Sequence, residues 1–192
     1  MELIQNVPQI SAYLAADEVV DHGHPLVRET AADLKVDTLD AYSYAKAAFE
    51  FVRDAIPHSC DTGDMRVPWR ASDVLAQRTG ICCAKSHALV ALLRAGSIPA
   101  ALCYQRLNVV HGLVALKLPG RERWARVDPR GNKAGIDAQF SLERERLAYE
   151  VEPESNEMNY PVLYDVPHPA VLDALRAASD QDTLWTLYPA EL

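Results

Sequence analysis

Apolar residues recur at helical intervals through the first half of the chain and at strand intervals after Pro99. Within 38–56, Tyr42, Ala45, Phe49, Val52 and Ile56 follow alternating steps of three and four, which draws one apolar stripe along a helix. Asp37 or Thr38 can cap it, and Pro57 ends it. Ahead of it, residues 1–36 predict two short helices. Tyr13, Leu14 and Val20 would pack from the first, and Pro25 suits the opening position of the second, with Val27, Ala31 and Leu34 on one face. Ser72 caps a short helix through Arg78 that closes at Gly80. The run after Gly80 is dense in helix formers and predicts about four turns, stopping near Gly96 with Pro99 beyond.

The period then changes. Ala101, Cys103, Gln105 and Leu107 alternate with Leu102, Tyr104 and Arg106, a strand. His111–Leu118 predicts a second strand, Pro119-Gly120 a turn, and Glu122–Asp128 a third strand. Leu147–Val151 reads as a further strand, Glu152–Asn159 as an acidic solvated loop, and Tyr160–Val166 as extended chain. Pro169 opens a helix through Ala178. A last turn over Thr183–Leu187 would pack Trp185 on the body. Helices first and strands second predict an α+β fold, with the helical part packed on an antiparallel sheet.

The strand pairing has a chemical consequence. If the loop centres on Pro119-Gly120, Leu118 faces Arg121 and His111 falls opposite Asp128. Their Cβ atoms would then be about 4.5–5.5 Å apart on one face. A bulge in the loop would shift this register.

Length and charge narrow the reading. The 192 residues suit a single domain over 1–192, with 1–37 as a helical extension and 38–190 as the core. A net charge of −8 argues against a nucleic-acid partner. No apolar run reaches membrane-spanning length. The N-terminus lacks the basic start and apolar core of a secretory signal. The four cysteines show no disulfide framework. Together these predict a soluble protein of the reducing cytoplasm.

Candidate chemistry centres on Cys82 and Cys83, in the first turn of the helix that follows Gly80. Unpaired N–H groups and the helix dipole there favour a thiolate. Cys82 shares a row with Ser86, Leu89 and Leu93 and should face the core. Cys83, with His87, Val90 and Arg94, lies on a row that ends in a charge and should point aside, away from the sheet. A cysteine at a helix start, then a strand histidine, then a strand aspartate suit nucleophilic acyl transfer. Cys82 attacks, His111 takes its proton, and Asp128 fixes the tautomer of His111. The Cys82 N–H can donate to the oxyanion, with Trp69 or Gln105 as candidates for a second donor. Cys83 with His87 forms a rival pair. Asp21-His22-Gly23-His24 has the residue types of a metal site but no matching cluster nearby. His58, Cys60 and Asp61 form a polar loop for which loop hydrogen bonding is the simplest role. The spacing of Cys60, Cys82, Cys83 and Cys103 matches no zinc pattern.

Three segments carry a family resemblance: Arg70–Leu75 leading to Gly80-Ile81-Cys82, Lys85-Ser86-His87 and Leu92-Leu93-Arg94; Cys103–Leu107 with His111-Gly112-Leu113; and Arg126–Lys133. The chain resembles bacterial transglutaminase-like domains over roughly residues 38–190. The resemblance implies a papain-like cysteine-protease fold, with the nucleophile at Cys82, the base at His111 and the orienting acid at Asp128. It further implies an acyl-enzyme formed from a peptide, protein or small amide substrate, no cofactor and no metal, with hydrolysis favoured over transamidation. A silent binding module is the alternative. Cys83 departs from the family, where a non-thiol residue is commoner. Ser97 departs from the glycine usual before Ile98-Pro99, which should alter the helix exit.

Overall fold

The computed structural model describes all 192 residues. In chain order the elements are β1 (Ile4–Gln5), a 3₁₀ turn at Ile10–Leu14, α1 (Pro25–Lys35), α2 (Ala41–Ala55), α3 (Ser59–Thr62), α4 (Ala71–Gln77), α5 (Cys82–Ala95), β2 (Ala100–Arg106), β3 (Val110–Leu116), β4 (Ala125–Val127), a 3₁₀ turn at Pro153–Ser155, β5 (Met158–Asn159), β6 (Val162–Leu163), α6 (Pro169–Ala177) and α7 (Gln181–Leu187). Helices precede an antiparallel sheet ordered β4-β3-β2-β5, and a small parallel pair joins β1 to β6. This is the predicted α+β arrangement. No helix is long and apolar enough to cross a membrane.

The helix starts follow local chemistry. Pro25 opens α1 as expected, with the His24 ring capping it. α2 begins later than predicted. Asp40 accepts from Ser43 N at 2.8 Å while Ser43 Oγ accepts from Asp40 N at 3.1 Å, a reciprocal cap that leaves Asp37 and Thr38 outside. Such a cap contributes about 1 kcal/mol. Tyr42, expected on the apolar stripe, is exposed, and Tyr44 is buried instead, its hydroxyl donating to Leu92 O at 2.6 Å.

α5 is buried on every side from Cys82 to Arg94. α1, α2 and α4 cover it on one side and β2 and β3 on the other. The charge that was expected to turn one row outward is itself buried. Arg94 donates to Ala15 O and Asp165 O, both at 2.7 Å, and to Ala100 O at 2.8 Å, so carbonyls replace water around the guanidinium. Ser97 leaves the helix at φ 60°, the left-handed conformation that glycine adopts freely, at a cost of about 1 kcal/mol.

The β3–β4 register differs from the expected one. Val114 pairs with Val127 and Leu116 with Ala125; the tight turn at Pro119-Gly120 forms as expected, with Arg121 N donating to Leu118 O at 3.1 Å, but irregular residues after it lengthen the loop. His111 is therefore not directly opposite Asp128. The displacement is two residues, so the alternation of faces survives and both side chains keep the same face. Leu102, Tyr104, Val114 and Val127 join a core of 36 buried residues built around α5, while Ala101, Cys103, Leu113 and Ala115 pack with Tyr13 and Leu163 in one of six, so the α5 side carries most of the apolar burial. His111 and Asp128 share the parity of the smaller group. Leu147–Val151 is irregular rather than a strand. Trp185, expected against the body, is half-exposed.

Candidate active site

Cys82 begins α5, His111 lies second in β3, and Asp128 follows β4. The structure brings all three together. β4 pairs with β3 from Val114 onward and leaves Gly112 N–H unclaimed on that side. It donates to Cys82 Sγ at 3.5 Å, so the thiol sits at the margin of the strand. The approach is close because residue 112 has no side chain. A Cβ there would lie 2.6 Å from Cys83 Sγ and 2.8 Å from Cys83 Cα. Cys83 thus packs against the sheet, contrary to the expectation that it points aside.

His111 Nε2 donates to Asp128 Oδ2 at 2.9 Å. The same oxygen accepts from Ala148 N at 2.9 Å, and Oδ1 accepts from Arg130 N at 3.0 Å. Three donors hold a carboxylate that has no exposed surface. Tyr149 meets the His111 ring edge-on, with centroids 5.1 Å apart. With Nε2 engaged, Nδ1 is the nitrogen left for Cys82.

The electrostatics favour a charge-separated pair. Donation from the Cys83 thiol, then the charge and hydrogen bonding of His111, hold Cys82 well below the ordinary thiol value against the opposing effect of burial. Burial acts to discharge His111, but Asp128 and the Cys82 thiolate outweigh it and hold the imidazole well above its ordinary value. Burial first, then the hydrogen bond to Cys82 and the Cys82 charge, push Cys83 up, so it remains a thiol. The Tyr188 hydroxyl donates to Cys83 Sγ at 2.8 Å, the first link of a relay that the opposed shifts of the two cysteines extend to Cys82.

Cys83 and His87 do not act as a pair. His87 Nδ1 donates to Trp69 O at 2.8 Å and Nε2 is buried without a partner. Burial depresses His87 to about 4. Neither suggested second oxyanion donor lines the site. Gln105 Nε2 donates to Asn159 Oδ1 at 3.0 Å, and the Trp69 ring lies between Arg70 and Arg176. His58, read from sequence as part of a polar loop, reaches Cys82 instead: Cys82 N donates to His58 Nε2 at 3.1 Å. No local pattern announces this contact. It arises because His58 and Gly80 form a parallel bridge across 22 positions of sequence. Asp61 is bound to Arg130 and Lys133, and the Arg130 hydrogen bond leads in holding it well below the usual carboxylate range.

Lys85, one turn after Cys82, is fully buried. Its ammonium donates to Arg53 O, Ile56 O and Arg130 O, which ties α5 to the end of α2 and to the loop behind Asp128. Cys82 and His111 open onto a cavity of about 450 Å³ lined also by His58, Cys60, Val110, Tyr149, Trp185 and Tyr188, with Asp128 buried behind the imidazole. No group of three or more His, Cys, Asp or Glu side chains is arranged to hold a metal ion. Asp21 accepts from Ser72 N, and His22 bonds to Leu14 O, so the histidine-rich loop is spent on packing.

Comparison with known proteins adds an independent line. The family model described as the transglutaminase-like superfamily matches residues 28–129. A candidate cysteine protease from Cytophaga hutchinsonii superposes with a TM-score of 0.54 at 19% identity, over 65% of this chain and 43% of that one. A structure described as a TGase gives 0.43 at 17% identity, over 73% and 37%. A candidate protease from Parabacteroides distasonis gives 0.40 at 13%, over 70% and 32%. The chain therefore spans less than half the length of each of these proteins. No curated protein matches it.

Proposed function

The chain belongs to the transglutaminase-like superfamily, and on that premise we propose that it is a thiol enzyme that forms an acyl-enzyme on Cys82 from an amide or peptide substrate. The observation that carries this reading is the placement of Cys82 and His111 at the wall of a cavity, with Asp128 bonded to His111 from behind. The Cys82 thiolate attacks the amide carbonyl and the π electrons move to oxygen. His111 then gives its proton to the departing amine, leaving a thioester. A water molecule, deprotonated by His111, attacks the thioester and releases the acid. An amine entering in place of water would give transamidation. Hydrolysis is the favoured outcome. Asp128 keeps the His111 tautomer correct and supports the imidazolium.

The pH dependence follows from the two shifts. The pair is competent when Cys82 has lost its proton and His111 keeps its own. Activity rises as pH climbs through the lowered Cys82 value and falls as it passes the raised His111 value. Iodoacetamide labelling read by peptide mapping tests the pair directly. Cys82 is expected to label rapidly well below pH 8, the region of an ordinary thiol at ~8.5. His111→Ala should move the labelling midpoint upward, and Cys82→Ala should abolish thioester formation. Slow Cys82 labelling that ignores His111 would reject the enzyme in favour of a binding module. Preferential labelling of Cys83 would reject the assigned nucleophile.

A further inference from the structure

Two backbone N–H groups are aimed at one imidazole. Cys82 N lies 3.1 Å from His58 Nε2, and Cys60 N lies 3.3 Å from His58 Nδ1, where the ring caps α3. A neutral imidazole carries one proton, so it accepts at one nitrogen at a time and donates at the other. The two contacts exclude each other. In one tautomer Nε2 accepts from Cys82 N–H and occupies it. In the other, Nδ1 accepts from Cys60 N–H and the proton sits on Nε2, beside Cys82 N–H. Two donors then face each other at 3.1 Å, and both are satisfied only by an acceptor lying beside the pair.

An oxyanion in that position would accept from both. We infer that His58 is a catalytic residue, the second oxyanion donor, whose Nε2–H acts with Cys82 N–H on the carbonyl oxygen of the substrate. The inference rests on the reading of Cys82 as the acylated nucleophile. Position supports it: His58 is 8% exposed and lines the same cavity as Cys82 and His111. Its frame is stiff, since Ser59 N donates to Gly80 O at 3.1 Å and thereby ties the His58 segment to the turn that starts α5. The resting arrangement also acquires a meaning. Without a substrate the Cys82 N–H is satisfied by Nε2, which avoids an orphaned buried donor. As the thiolate attacks, negative charge on the carbonyl oxygen draws both N–H groups and favours the donor tautomer.

The test separates a reaction with an oxyanion from one without. p-Nitrophenyl acetate acylates a thiolate through a tetrahedral oxyanion, giving a thioester and p-nitrophenolate. Iodoacetamide alkylates the same thiolate by direct displacement of iodide, with no oxyanion. Both rates are measured on the full chain at pH values where Cys82 is fully ionised. His58→Ala is expected to slow acylation by about 10²–10³-fold, the usual loss for one such donor, while alkylation falls no more than about threefold. His58→Gln, which restores a side-chain N–H, should recover acylation to within about tenfold. Retained alkylation by His58→Ala also shows that the variant is folded; if it is not, the Gln variant against wild type carries the comparison, with KM for the ester expected to move less than kcat. Equal losses in both reactions, or no loss in either, would overturn the role of His58 while leaving Cys82 acylated in the wild type. A wild type that alkylates at Cys82 but never acylates would instead overturn the acyl-enzyme reading and this inference with it.

Discussion

Cys83 shows how much a single atom can matter. Sequence offers it as a rival nucleophile, but it is a thiol held between the Tyr188 hydroxyl and the Cys82 sulfur. Its role in the structure is to donate. Cys83→Ala should therefore raise the pH midpoint of Cys82 labelling by about one unit, the effect of losing one hydrogen bond to a charged group of roughly 1.5 kcal/mol. Cys83→Ser keeps a donor and should stay near wild type. Equal midpoints for Ala and Cys would show that the relay contributes nothing. At this scale the identities of Cys82, His111 and Asp128 were readable, because nucleophile, base and acid come from few residue types. The burial of Lys85 and Arg94 was not. Sequence marks a charge as exposed, and only the carbonyls gathered from Arg53, Ile56, Ala100 and Arg130 make these exceptions possible.

Between elements, the contact that decides the site is β3 against α5. Gly112 permits it. Gly112→Ala places a methyl group into Cys83 Cα as well as its sulfur, so a rotamer change cannot relieve it. The expected cost is about 2–3 kcal/mol, seen as a lower midpoint in urea unfolding, and a Gly112→Ala/Cys83→Ala double variant should recover less than half. Full recovery would mean that the clash is with sulfur alone. Strand and helix types followed from their periods, and the parity of His111 and Asp128 survived an error in register because two residues is one strand repeat. Pairing itself depends on the whole loop: the Pro119-Gly120 turn forms, but the residues between it and Ala125 add two to the register. The His58 bridge to Gly80 joins segments with no shared pattern, so it was legible nowhere in the chain.

For the molecule as a whole, acid is the vulnerable direction. His87 is buried and neutral, with its value depressed to about 4 from 6.5. Between those values the unfolded chain binds a proton that the native state does not, so stability falls as pH drops through that window, by about 3 kcal/mol. His87→Asn preserves a donor for Trp69 O and should remove this part of the pH slope in urea unfolding between pH 7 and 4; an unchanged slope would mean that His87 titrates normally. The encasement of α5 carries a separate implication for how the molecule opens. Amide deuteration at Cys82 through Leu93 has to await global unfolding, because every neighbour must leave first. The segment around Ala148 has no such cover and belongs to no helix or strand. It is free to detach by itself, withdrawing one donor from Asp128 and the edge of Tyr149 from His111. Cys82 thus lies in the segment expected to exchange slowest, while one donor to Asp128 comes from a segment expected to open early.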